Sequence, residues 1–117
     1  MKNYVLKDPI HYYSKRYNRY VSLPKGYTSD GATGAIDVKG TVECTYKGKP
    51  FFASMSWWVH DKLCDTGKWD DGANCTNWQA STVLHDILKA EGHWVRDFWW
   101  RITTYMFGGG KARDNKL

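Results

Sequence analysis

Trp57-Trp58-Val59-His60-Asp61-Lys62-Leu63-Cys64 runs three bulky apolar residues straight into an adjacent imidazole and carboxylate. Met55, Trp58, Val59 and Leu63 fall at helical spacing, which predicts an amphipathic helix opening near Ser54, with Ser54 or Ser56 as N-cap. Neighbouring residues on a helix stand about 100° apart. Asp61 therefore falls near Trp57 and Trp58, and His60 near Ser56 and Cys64. Both side chains can border one pocket at the edges of the apolar stripe.

Working outward toward the N-terminus, the pattern shifts to strands. Asn3–Leu6 reads as a short strand, and Asp8-Pro9 discourages helix at that point. Tyr17–Leu23 reads as a second strand closed by the turn Pro24-Lys25-Gly26. The Tyr12–Tyr20 run interleaves aromatic and basic residues; an edge strand with snorkelling cations is favoured over a nucleic-acid surface. Gly26 to Gly34 is a loop, in which Asp30-Gly31 is a turn pair. Val38–Cys44 and Gly48–Phe52 flank Tyr46-Lys47-Gly48-Lys49-Pro50 and predict a hairpin.

Working outward the other way, Asp65–Asn74 is a loop rich in Gly and Asp. Its acids do not keep the alternate spacing or closing Glu of an EF-hand. Thr76 or Asn77 caps a second helix, with Gln79 close to a capping box, a stripe of Ala80, Leu84, Ile87 and Leu88, and Gly92 as the stop. Asn77, Ser81 and His85 recur every four residues and share one face. A third helix is expected from about Trp94 to Phe107, before Gly108-Gly109-Gly110. The fold class is therefore α+β: small N-terminal antiparallel strands and hairpins packed against about three C-terminal helices. Residues 1–110 form a single domain and 111–117 a flexible basic tail.

Bulk composition sets limits on function. The chain has 117 residues, 42% apolar and 25% charged, ordinary values for one globular domain. Seven Trp and eight Tyr are more than ordinary, so a few large side chains can fill much of the core. A net charge of +5 allows weak attraction to anionic partners without specifying one. The three cysteines, Cys44, Cys64 and Cys75, contain no C-x-x-C pair, which argues against a zinc ribbon. Reduced thiols are expected, with Cys64–Cys75 the pairing to consider if one forms. The N-terminus lacks an apolar signal-peptide core and no window approaches 18 apolar residues, so no transmembrane segment is expected.

The polar clusters suggest one site. His60, Asp61 and Asp30 are candidate catalytic residues, His60 as general base oriented by either carboxylate. Gly31, Asn77, Ser81 and His85 are candidate binding residues. A divalent metal ion, if one binds, is expected at Asp61 and Asp30. The plain alternative is that these groups are hydrogen-bonded features of the core.

Two resemblances bear on this site. Leu23-Pro24-Lys25-Gly26-Tyr27-Thr28-Ser29-Asp30-Gly31-Ala32, then Val59-His60-Asp61, then Ala80-Ser81 ahead of Ile87-Leu88-Lys89-Ala90-Glu91-Gly92, resembles an uncharacterised family of bacteriophages and prophages, catalogued as domain of unknown function 1353. The likeness spans roughly residues 20–108. That family usually has Ser where Thr33 stands and Asp where Ser81 stands. The resemblance implies phage origin. His60-Asp61-Lys62-Leu63-Cys64 is also similar to the His-Asp motif of phospholipase A2 helices. That likeness implies His60 as base and Asp61 as calcium ligand, although no Tyr follows Cys64 and no paired-Cys calcium loop precedes it.

Two functions are expected from these features. The first is a phage accessory protein that binds a host or virion protein, placed in the host cytoplasm or on the virion. The second is a small hydrolase, with metal assistance, using His60 with Asp61 or Asp30. Nucleic-acid binding ranks third.

Overall fold

The computed structural model describes residues 4–29 and 40–92. Element order is β1 (Tyr4–Leu6), β2 (Ile10–Ser14), β3 (Arg19–Leu23), β4 (Thr28–Ser29), β5 (Val42–Tyr46), β6 (Lys49–Ala53), α1 (Met55–Thr66) and α2 (Asn77–Ala90). The class is α+β with antiparallel strands, as the patterning predicts. Two helices rather than about three occur among the described residues. The expected helix from Trp94 and the tail at 111–117 lie outside them.

Four strands form one sheet in the order β4-β1-β5-β6, while β2 and β3 pair as a separate hairpin. Residues Lys47 and Gly48 turn β5 into β6 with φ of 52° and 81°. Positive φ at both positions defines the primed turn whose twist matches a two-residue hairpin. Tyr46 pairs with Lys49 across that turn. The closing pair exchanges hydrogen bonds, so alternation sends the backbone of Pro50 and Phe52 away from β5. Pro50 thus sits where its missing N–H costs the sheet nothing, and it blunts an edge strand.

The β2–β3 hairpin corrects the reading of residues 10–23. Ile10 to Ser14 is a strand of its own, paired from Ile10↔Leu23 to Ser14↔Arg19. Tyr17 and Asn18 lie in the turn. Asn18 takes φ 54°, and its N–H donates to the Ser14 carbonyl at 2.8 Å. Asn tolerates that left-handed conformation, which lets the chain reverse without glycine.

Both described helices start where their caps predict. The Ser54 hydroxyl accepts from the Ser56 N–H, and Gly67 closes α1 in the left-handed conformation. Thr76 and Gln79 form a full capping box on α2. Glu91, just past α2, accepts a hydrogen bond from the Ser54 hydroxyl, and one oxygen lies 3.4 Å from the Met55 N–H. The end of α2 therefore meets the start of α1, and the helices run antiparallel. The Glu91 carboxylate also favours the positive end of the α1 dipole.

The core gathers Trp57, Trp58, Val59 and Leu63 of α1, Ala80, Val83, Leu84 and Leu88 of α2, and Val21, Leu23 and Cys44 from the strands, all fully buried. Trp57 and Trp58 stand 4.5 Å apart, with Tyr4 edge-on to Trp57 at 5.2 Å. Most of the aromatic excess among the described residues is packing. All three cysteines are free thiols and buried. Burial pushes the Cys44 thiol up to about 11 and Cys75 to about 12, so both stay protonated and inert at neutral pH. No helix of the described residues is long and apolar enough to cross a membrane.

Candidate functional site

Helix α1 turns His60 inward until it is fully buried. Its ring faces Cys64 one turn on, with Sγ 3.4 Å from Nε2 and 3.8 Å from Nδ1. Burial lowers the imidazole to about 4, and no neighbouring charge offsets the loss of water. The ring is therefore neutral at pH 7.

Asp61 leaves the helix on another side, as the 100° step requires. It is half-buried and lies near Tyr27. The Tyr27 hydroxyl donates to Asp65 at 3.1 Å, and the Lys62 ammonium stands 5.4 Å over the ring. The ring's other neighbour is Trp58 at 6.4 Å. The Tyr27 phenol is strongly raised, first by burial, then by the charges of Asp61 and Asp65. Asp61 thus acts on Tyr27, while burial is the cause of the His60 shift.

Tyr27, just ahead of the Thr28–Ala32 stretch, reaches α1. Asp30 and Gly31 lie outside the described residues. Ser81 is fully buried in α2, and Asn77 and His85 are half-buried on the same face. His85 Nδ1 lies 3.7 Å from Asp86 Oδ1. Among the described residues, no three His, Cys, Asp or Glu side chains are grouped as a metal site. The acids that look like a calcium loop have other partners. Asp65 takes the Tyr27 hydroxyl, Asp70 takes Ser22, and Asp71 accepts from the Ala73 N–H at 2.9 Å.

A second surface was legible only as an aromatic-basic run. On the outer face of β2–β3, Tyr13 and Tyr20 pair across the strands with ring centroids 4.8 Å apart and planes at 46°. They are 39% and 59% exposed, and Phe52 on β6 is the other exposed large apolar side chain among the described residues.

Both ends of this hairpin are pinned. Arg16 makes a two-point pair with Asp86 of α2, at 2.9 Å through Nε and 2.9 Å through Nη2. At the other end, the Asp70 carboxylate accepts from the Ser22 N–H at 2.9 Å and its hydroxyl at 2.6 Å. The Ser22 proton is committed to Asp70, so its oxygen accepts from His11 Nδ1 at 3.1 Å. The Asp70 N–H donates to the Tyr20 carbonyl at 3.0 Å, which closes the free edge of β3.

No family model, characterised protein or solved structure matches the chain.

Proposed function

We propose that this is a phage-encoded accessory protein that acts by binding a host or virion protein, with the outer face of β2–β3 as its contact surface. The observation that carries this reading is the Tyr13–Tyr20 pair: two adjacent aromatic rings left in water on a hairpin pinned to the body at both ends. Rigid exposed tyrosines bind at low entropic cost and are enriched among residues that dominate interfaces. His60, by contrast, is closed off from solvent and engaged with Cys64. Phage origin rests on the sequence resemblance quoted above.

The test compares partner capture from host lysate by the parent chain, a Tyr13→Ala/Tyr20→Ala variant and His60→Phe, with melting curves alongside. Loss confined to the tyrosine variant, with its fold intact, supports the reading. Equal capture by all three sinks it.

The second reading is a hydrolase in which the buried, neutral His60 ring would accept the proton. In that reading His60 is the general base, with Asp61 and Asp30 as its carboxylates and a divalent metal ion assisting. Turnover of lipid, peptidoglycan or nucleotide substrates by the parent chain, absent in His60→Ala, would establish it.

A further inference from the structure

Of the three buried cysteines, Cys64 has surroundings unlike those of the other two. It lies one turn after His60 on α1, and its Sγ stands 3.4 Å from the imidazole Nε2. A neutral imidazole carries one nitrogen without hydrogen, and that nitrogen can take up a proton as well as accept a hydrogen bond. The Cys75 thiol donates instead to the Thr76 carbonyl at 3.5 Å, an oxygen too weakly basic to remove the proton. Exposure separates the three as well. Cys44 and Cys75 are 0% exposed, whereas Cys64 retains 4%.

So narrow an opening suits a reagent of a few atoms and shuts out a peptide or a bulky thiol. Its charge is also constrained. Cys64 is close enough to Tyr27 to act on the phenol, and Asp61 and Asp65 do the same, with the Lys62 ammonium over the ring. Two carboxylates against one ammonium leave this edge of α1 negative, which disfavours anionic reagents.

We propose that Cys64 is an oxidant-sensitive thiol, modified by a small uncharged hydroperoxide, with His60 as the acceptor of its proton. The role is independent of the binding face on β2–β3. The Cys64 S–H proton passes to Nε2, and the sulfur electron pair attacks one peroxide oxygen. The O–O bond breaks, and the departing hydroxide takes the proton back from His60 and leaves as water. Sulfur is oxidised by two electrons to the sulfenic acid, and the peroxide is reduced. Proton transfer and return belong to one event, so no separated charge has to persist in the apolar core. The sulfenic acid is reversible by thiols, which makes the modification a signal rather than damage.

The test treats the folded full chain with hydrogen peroxide, removes the excess with catalase, denatures it in dimedone and maps each cysteine by mass spectrometry over time. The expected result is a dimedone adduct at Cys64, formed about tenfold or more faster than at Cys44 or Cys75, which serve as internal controls. His60→Phe should slow Cys64 about tenfold or more and leave the other two rates unchanged. Melting curves establish that the variant is folded. A merely structural His60 gives the opposite sign, because loosened packing speeds oxidation at Cys64 or at all three thiols. Equal rates at the three cysteines of the parent chain overturn the proposal without any variant, as does a Cys64 rate that is unchanged or raised in folded His60→Phe.

Discussion

His60 looks catalytic in sequence and sits fully buried against Cys64 in the fold. Its folded imidazole titrates near 4 against an ordinary 6.5, because burial disfavours the charged form. The unfolded chain therefore binds the proton more readily between those values, and stability rises with pH. The contribution is complete above pH 6.5 and is lost as pH falls toward 4. At about 1.36 kcal/mol per unit, the loss is roughly 3 kcal/mol. Urea unfolding at pH 7 and pH 4.5 should show about 2 kcal/mol of that loss in the parent chain and a smaller one in His60→Gln; equal pH dependence would refute the assignment. The His60–Cys64 proximity was legible in the sequence, since residues four apart share a helix face. The approach of Tyr27 to Asp61 and Asp65 was not, because Tyr27 comes from the turn before β4 and only tertiary packing brings it there.

Elements were legible wherever a local rule decides them. The caps at Ser54 and Thr76, and the Lys47-Gly48 turn, follow from side-chain chemistry within four residues. Lys47 is the weak point of that turn, since it holds a positive φ that Asn tolerates better. Lys47→Asn should stabilise the fold by about 0.5 kcal/mol, seen as a raised melting temperature. The turn at Lys15–Asn18 was missed because its signal is a single Asn inside a run of strand-forming tyrosines. Gly40 was equally silent. An added Cβ there would lie 2.4 Å from both the Ala53 carbonyl oxygen and the Ser54 Cα, so the backbone itself must move. Gly40→Ala should cost about 2 kcal/mol or more in chemical denaturation, while Gly26→Ala meets only the penalty of its positive φ. Equal costs at both sites would show that the chain near Ala53 has room to yield.

At the scale of the whole molecule, a few polar side chains fasten separately formed pieces, and none of these links follows from periodicity. Glu91 ties the end of α2 to the start of α1, Arg16 ties the hairpin to α2, and Asp70 ties the loop after α1 to β3. They are not equivalent. The Arg16 side chain is 53% exposed, so water screens its pair with Asp86 and the net gain is about 0.5 kcal/mol. Asp70 is outside the core as well, yet its carboxylate accepts two short hydrogen bonds from one residue. Removing it strands the Ser22 N–H and hydroxyl together and leaves His11 bonded to an unanchored oxygen. Water can take over part of both exposed bonds, so Asp70→Ala should cost about 1 kcal/mol, still more than Arg16→Met. Asp70→Asn should fall between, because its amide oxygen still accepts the Ser22 N–H while its NH2 cannot accept the hydroxyl proton. Amide exchange adds a local readout: the Ser22 N–H should exchange faster in Asp70→Ala and hardly change in Arg16→Met. The opposite ranking would mean that the hairpin is held chiefly by α2, with the acidic loop merely resting against it.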